Sequence, residues 1–424
     1  MSDPTAYVYV DLDGATQAVG KLWTTVDRGT ERASFEYDDT WLRNERRFAL
    51  EPALTLDAAA HHTQPGRALF GALGDSAPDR WGRMLMQRNA RATAVSAHEP
   101  ARTLYERDYL LGVTDETRQG ALRFRRTENG SFERPPAPDG VPPLVTLPKL
   151  LAASDLLQEG DETDETIRAL RLLMAPGSSL GGARPKASVR DTSGRLHIAK
   201  FPAKGDEWNI ERWEAVALTL AKRAGIATPE FALRTVKGRD LLVVRRFDRH
   251  GSADAFRIPF LSAMSALNAR DHEVRSYVEI AQFLRQHGAD TGADLQALWR
   301  RMIFAILINN TDDHLRNHGF LLSTPAGWRL SPVYDINPVP TDIRERFLST
   351  AIGEDGDTTA SLELAFRAAD QFGLKVARAR EVARDVATTV QAWDTVARKL
   401  KVPAQEFGRM SSAFSHPELA AAAR

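Results

Sequence analysis

The sequence contains no cysteine, which excludes disulfide bonds, thiolate catalysis and cysteine-ligated zinc. It carries no excess of either charge, because 56 lysines and arginines balance 56 aspartates and glutamates. The total charge therefore predicts no basic face, and on DNA a partner would make most of the phosphate contacts. No apolar run approaches the ~18 residues of a transmembrane helix. Because Met1-Ser2-Asp3-Pro4 lacks a basic and apolar leader, we predict a cytoplasmic protein with no membrane partner.

The order of patterns along the chain predicts a β-rich first part and a helical last part. With 424 residues the chain is long enough for two domains or one large bilobal domain. Residues 7–37 contain alternating runs typical of a small sheet, which the helical pattern at 79–88 is suited to cover. From residue 259 onward the pattern is helical and predicts, among others, helices over 261–267 and 374–400. The expected fold class is α+β.

One stretch places many polar side chains between two apolar elements. Residues 308–320 hold two consecutive acids, two histidines, an arginine and several amides. Burying such a cluster is costly unless it has a function. Asp312 and Asn317 have the Asp-x-x-x-x-Asn spacing of kinase catalytic loops, in which a carboxylate positions the attacking hydroxyl and a side-chain oxygen holds Mg²⁺. Taken alone, this spacing is equally compatible with a helix N-cap.

A predicted hairpin leads from this stretch to a further carboxylate. Strand patterns at 319–323 and 328–330 surround a Thr-Pro-Ala-Gly turn, and Asp335 follows the second strand. Kinases place their second metal-binding aspartate after a similar hairpin. Together these features predict an ATP-dependent phosphoryl-transfer site in which Asp312 is catalytic, while Asn317 and Asp335 bind Mg²⁺.

Upstream signals fit the same chemistry. Residues 176–186 are rich in glycine and serine, so that backbone N–H groups can approach an anion, although an ordinary flexible turn is the alternative. Lys200, late on a predicted strand, can reach the same phosphates, as the kinase β3 lysine does. On the helix predicted at 210–222, Glu214 is expected to orient that lysine. Glu211 is the alternative, and a solvent-facing glutamate is the simpler interpretation.

Taken together, five segments resemble the HipA family, the kinase toxins of type II toxin–antitoxin modules. They are residues 75–83, 179–186, 243–249, 310–320 and 330–335. The resemblance implies a bilobal protein-kinase-like fold with three parts. These are a small β-rich N-terminal subdomain over 1–140, a kinase-like N-lobe with the Gly-rich loop over 141–245, and a helical C-lobe over 246–424.

The resemblance also assigns site residues. Asp312 is the implied catalytic aspartate, and His314 the implied neighbour of the phosphates. Ser179 matches the serine that the family autophosphorylates to switch itself off, with Ser178 as the alternative position. The implied ATP-binding residues are Gly181, Gly182, Ala183, Arg184, Pro185, Lys186, Lys200, the adenine-facing Arg245, Arg246 and Phe247, and His314, Asn317, Tyr334 and Asp335.

The function implied by the family is that of a toxin. Its members use ATP and Mg²⁺ to phosphorylate serine on a protein, best known for an aminoacyl-tRNA synthetase, and so stall translation. A helix-turn-helix antitoxin neutralises them and assembles with them on operator DNA. Two alternatives remain at this point: a catalytically silent corepressor with a DNA-binding partner, and a small-molecule or lipid kinase that shares the same site chemistry.

Overall fold

The structure is a computed structural model that describes residues 3–134, 140–159, 163–174, 182–323 and 326–423. The chain divides into two units. The first comprises Met1–Gly205 with Thr235–Leu261, and the second comprises Asp206–Arg234 with Ser262–Arg424. Across the described ranges, no helix combines the length and the apolar character needed to span a bilayer.

The first unit begins with a five-stranded antiparallel sheet in the order β4-β3-β2-β1-β5. Its strands are β1 (Ala6–Leu12), β2 (Ala15–Asp27), β3 (Thr30–Tyr37), β4 (His61–His62) and β5 (Leu122–Arg125). Asp13 and Gly14 both have positive φ, at 51° and 81°, which is the geometry of a two-residue hairpin turn. The alternation in residues 7–37 therefore predicted strands correctly.

Six α-helices lie in the described part of the first unit. They are α1 (Asp39–Leu42), α2 (Gly71–Gly74), α3 (Arg80–Ala97), α4 (Glu106–Gly112), α5 (Leu147–Glu159) and α6 (Asp164–Met174). The start of α3 is fixed by Asp79, whose carboxylate accepts a hydrogen bond from the Gly82 amide at 2.7 Å. This cap confirms the helix predicted from residue 79, although the helix runs further than predicted.

A second sheet carries the strands that follow the Gly-rich segment. It has the order β6-β7-β9-β8, with β6 (Lys186–Arg190), β7 (Leu196–Lys200), β8 (Phe231–Val236) and β9 (Arg239–Arg245). The short strands β10 (Arg249–His250), β11 (Phe256–Arg257) and β12 (Phe260–Ser262) follow. One core cluster joins α3, α5 and α6 to this sheet, with Leu85, Leu150, Leu173, Val189 and Phe201 fully or almost fully buried.

The second unit is mainly helical. Its helices are α7 (Ile210–Arg223), α8 (Ala263–Ala266), α9 (Tyr277–His287), α10 (Thr291–Leu307), α11 (Leu362–Arg367), α12 (Val376–Val390), α13 (Trp393–Lys399), α14 (Ala404–Phe414) and α15 (Pro417–Ala422). A single hairpin of β13 (Gly319–Ser323) and β14 (Gly327–Leu330) interrupts them within the described residues. The mixed α+β class predicted from the sequence is confirmed.

Two helix predictions in this part were wrong in detail. A helix was predicted over 261–267, but its first two residues belong to β12, and the helix α8 covers only four residues. The pattern over 374–400 is split into two helices, α12 and α13. The first residue of α13, Trp393, follows Ala392 and packs in an aromatic cluster. In that cluster the rings of Trp393 and Phe414 stack with centroids 4.7 Å apart. Tertiary packing therefore set the break, which no proline or glycine marks.

Candidate active site

The polar stretch leaves α10 through a sharp backbone turn. Asn309 lies in the left-handed region with φ 52°, a conformation that asparagine tolerates better than most residues. Its side-chain amide donates to the Val339 carbonyl at 2.6 Å, and its oxygen accepts from Arg346 at 3.2 Å. The segment after α10 is thus tied to the chain downstream of β14.

Asp312 presents its carboxylate to solvent. The side chain is 67% exposed, and Nη1 of Arg344 lies 3.3 Å from its Oδ1. The Asn317 amide group donates to the Asp312 backbone carbonyl at 3.0 Å, which fixes the Asp312 backbone and turns the Asn317 oxygen away from it. The helix N-cap interpretation is wrong, because the short 3-10 helix Leu315–Asn317 has His314 as its N-cap residue.

The adjacent acid, Asp313, has the opposite environment. It is buried, accepts a hydrogen bond from the Tyr277 hydroxyl, and lies 3.2 Å from Nε2 of His318. Burial alone would raise the pKa of the Asp313 carboxyl, but the charge of His318 and the Tyr277 hydroxyl outweigh it and lower that pKa. The Asp313 carbonyl also accepts from Thr350 at 2.6 Å. Asp313 therefore anchors the stretch, whereas the exposed Asp312 carboxylate is accessible to a substrate.

Asp335 follows the hairpin, whose second strand ends at Leu330. The amide after β14, on Ser331, donates to the Gly319 carbonyl at 2.8 Å and closes the base of the hairpin. Tyr334 then donates its hydroxyl to the Arg316 carbonyl at 2.7 Å, which ties the segment to the Asp312 stretch. Asp335 itself is held at φ 53°. Aspartate, like asparagine, adopts this left-handed conformation more readily than most residues.

The oxygen ligands present fit a magnesium ion bound with a nucleotide. No group of three histidine, aspartate or glutamate side chains in the described residues could hold a metal by itself. Mg²⁺ bound with phosphates needs only one or two protein oxygens, since water and phosphate complete its octahedron. The Asn317 amide nitrogen is occupied by Asp312, so its oxygen remains as a ligand. Asn317 and Asp335 therefore have suitable donor chemistry.

Several buried polar atoms beside Asp312 lack a hydrogen-bond partner among the residues that the structure describes. They are Nδ2 of Asn310, Oγ1 of Thr311, Nδ1 of His314 and Oδ1 of Asn337. Buried polar atoms in proteins are nearly always paired with protein, water or ligand. Ordered water or a bound ligand would supply their partners.

In the first unit, Lys186 has a structural partner that the sequence did not reveal. Its Nζ lies 2.6 Å from Oδ2 of Asp79, and both side chains are buried. The Trp81 indole donates to the Lys186 carbonyl at 3.0 Å. Gly182 has φ 100°, and a Cβ there would come within 3.3 Å of the Lys186 ammonium. The positive φ favours glycine at this position.

The other predicted residues of the Gly-rich loop divide into two groups. Ser178, Ser179 and Gly181 lie outside the described residues. Of the remainder, Ala183 is exposed, Arg184 is half-buried, and Pro185 is buried with its carbonyl accepting from the Phe201 amide. Their role as nucleotide ligands stays a prediction.

Lys200 ends β7 directly opposite Lys186 in the antiparallel register, so the two side chains point to the same face of the sheet. Lys200 is half-buried. On α7, Glu214 and Glu211 are 3% and 2% exposed, so the solvent-facing interpretation is wrong for both. Their function as lysine-orienting residues stays a prediction.

The side chains of the predicted adenine-facing segment are used inside the protein. Arg245 forms an ion pair with Asp254. The Arg246 guanidinium is buried against Asp248, and the Arg246 amide donates to the Leu196 carbonyl at 3.0 Å. A nucleotide here would have to be bound through backbone groups.

A buried arginine network around Asp248 was missed by sequence reasoning. Asp248 contacts Arg246 and Arg249 and accepts from the Gly120 amide at 2.7 Å. Burial would raise the pKa of Asp248, but the two arginines hold that pKa far below its usual value. Arg118, also fully buried, donates to carbonyls of Ser76, Leu110 and Val113. The charge-dense run Arg245–Arg249 was the available signal.

Comparison with known proteins identifies the family. A family model described as the HipA-like C-terminal domain matches residues 178–393, just over half of the chain. A second, described as the HipA N-terminal domain, matches residues 10–105. The chain belongs to the HipA family. The resemblance drawn from the five sequence segments is therefore confirmed.

Relatives named as putative kinases and one solved HipA structure are similar to this chain. The putative kinase Y4mE of Sinorhizobium fredii is 27% identical over 328 residues, which cover 71% of each chain. A putative kinase of Haemophilus influenzae is 28% identical over 165 residues, covering 34% of this chain and 48% of the relative. The HipA of Shewanella oneidensis, solved in a complex with HipB and operator DNA, matches with a TM-score of 0.64. At 16% identity, over 99% of this chain and 96% of that one, it confirms the HipA-like fold.

Proposed function

We propose that this HipA-family protein is a kinase that uses ATP and Mg²⁺ to phosphorylate a serine or threonine hydroxyl of a protein. The observation that carries the proposal is the exposed Asp312 carboxylate in the same loop as Asn317. The side-chain amide of Asn317 donates to the Asp312 backbone carbonyl at 3.0 Å and fixes the backbone there. Asp335, at the end of the hairpin, supplies the further carboxylate that phosphoryl transfer requires. Relatives named as putative kinases support the assignment.

In the proposed mechanism each residue has a separate task. Asp312 accepts the hydrogen bond of the acceptor hydroxyl and orients its oxygen for attack. The side-chain oxygens of Asn317 and Asp335 would hold the metal. Bound MgATP supplies the phosphoryl group and positive charge that offsets its oxygens. The Nδ1 atom of His314 is buried and lacks a partner within the described residues. His314 would donate a hydrogen bond to the phosphates.

The remaining nucleotide assignments extend this proposal to the first unit. The Gly-rich loop from Gly181 to Lys186 and the ammonium of Lys200 would contact phosphates, and the backbone at Arg245–Phe247 would contact adenine. Glu214 would orient Lys200. We assign the main phosphate contact to Lys200, from its position at the end of β7, which matches the kinase β3 lysine.

The biological role follows from the family. We infer that the protein is the toxin of a type II toxin–antitoxin module. Its substrate would belong to the translation machinery, as an aminoacyl-tRNA synthetase does, and this substrate implies action in the cytoplasm. A helix-turn-helix antitoxin would bind it, as HipB binds the Shewanella HipA. A net charge of zero fits an assembly in which the antitoxin makes most of the DNA contacts.

Incubation of the purified protein with γ-labelled ATP and cell lysate tests the proposed function, with the Asp312→Asn variant as the negative control. The proposal predicts a labelled protein band that requires Asp312. Label in lipid or in a small molecule would support the alternative kinase class. An absence of label in every fraction would favour the catalytically silent corepressor and contradict the proposal.

A further inference from the structure

Arg344 contacts the proposed catalytic carboxylate, yet no sequence motif pointed to it. Its Nη1 lies 3.3 Å from Oδ1 of Asp312, and the two side chains are 49% and 67% exposed. Within the part of the chain that the structure describes, Arg344 is the one side chain that hydrogen-bonds to this carboxylate. The other oxygen, Oδ2, accepts no hydrogen bond from the described residues.

The turn that carries Arg344 is anchored on its N-terminal side to α14. The Thr341 amide donates to the Ser412 hydroxyl at 3.1 Å. Asp342 lies 3.5 Å from the guanidinium of Arg409 on the same helix. The amide of Arg344 itself donates to the Pro340 carbonyl at 3.2 Å and closes the turn.

The C-terminal side of the same turn is anchored to the polar stretch. Arg346 donates to Oδ1 of Asn309 at 3.2 Å and to the Ile306 carbonyl at 3.1 Å. Ser349 donates to the Thr311 carbonyl at 2.9 Å. Because both sides are held, placing Arg344 near Asp312 costs little additional backbone entropy, and only the side chain remains to be ordered.

We propose that Arg344 is a positioning residue that fixes the rotamer of Asp312. Asn317 fixes only the backbone of Asp312, so the carboxylate would otherwise rotate between staggered positions on the surface. Holding Oδ1 directs Oδ2 toward the acceptor hydroxyl. This inference rests on the proposed kinase function. It assigns to Arg344 an effect on turnover and none on nucleotide binding.

The expected effect is modest, because exposed ion pairs are weak and are screened by salt. We expect Arg344→Gln to lower turnover at saturating MgATP by about two- to fivefold, with the KM for ATP unchanged. Arg344→Lys should restore most of the rate, since the contact uses one nitrogen and a lysine supplies a donor with the same charge.

Transfer of label from γ-labelled ATP to lysate protein would measure these effects in the full chain. The matched control is Arg378→Gln, because Arg378 is 56% exposed and paired with Glu381 at 2.9 Å on α12. Raising NaCl from about 50 to about 500 mM should shrink the ratio of wild-type to Arg344→Gln rates, since the Debye length falls several-fold. The control should match wild type at each concentration.

The outcomes separate this inference from the kinase proposal. An active wild type with an equally active Arg344→Gln variant at all salt concentrations would overturn the positioning role alone. So would a faster variant, which would show that Arg344 restrains Asp312. A wild type that transfers no label would overturn both the kinase proposal and the inference that depends on it.

Discussion

The buried pair of Lys186 and Asp79 allows a quantitative prediction about stability. The side chains are 6% and 4% exposed and lie 2.6 Å apart. Lys186→Met removes the ammonium that lies against the buried Asp79 carboxylate. Breaking a buried pair from one side costs about 3–5 kcal/mol. Asp79 keeps the hydrogen bond from the Gly82 amide at 2.7 Å, so we expect the lower part of that range.

Urea unfolding of the full chain, followed by circular dichroism, would measure this loss. The double variant Lys186→Met with Asp79→Asn removes both charges, and asparagine still caps α3, so much of the stability should return. Arg46→Met is the control, since its pair with Asp13 has the same 2.6 Å separation but is 41% and 64% exposed. That change should cost less than about 1 kcal/mol. A Lys186→Met loss no larger than that of the control would refute the reasoning.

Two further predictions concern pH and modification. Burial, together with nearby Arg346, lowers the pKa of His416 to about 4, so the unfolded chain binds more protons and stability should fall as pH drops from about 6.5 to about 4. Urea unfolding at pH 7 and pH 5 should show a smaller loss in His416→Gln, and equal losses would contradict this. Mass spectrometry of protein purified without antitoxin should find phosphate on Ser179 that Ser179→Ala removes. Phosphate confined to other positions would disprove that switch and leave the kinase proposal standing.

Local patterns predicted the hairpin that follows the candidate site. The Asp312–Asn317 spacing, the hairpin and Asp335 are features of about 25 consecutive residues, and each follows from side-chain type and turn chemistry. The Asp79 cap of α3 was recognisable for the same reason. The domain boundaries at 140 and 245 and the roles of the individual site residues stay predictions.

Contacts between distant parts of the chain could not be predicted from one sequence. Lys186 and Asp79 are 107 positions apart, and Gly120 and Asp248 are 128 apart. Arg344 reaches Asp312 because two hydrogen-bonded anchors place its turn there. In each case the fold brings together residues that lie far apart in the sequence.

The central claim is that Asp312 orients the hydroxyl that attacks the nucleotide. Label transfer at saturating MgATP by Asp312→Asn, compared with wild type and with the exposed control Glu381→Gln, tests it most directly. We predict a loss of about 100-fold or more with unchanged folding, and loss of growth inhibition in cells. A transfer rate within twofold of wild type would contradict the account.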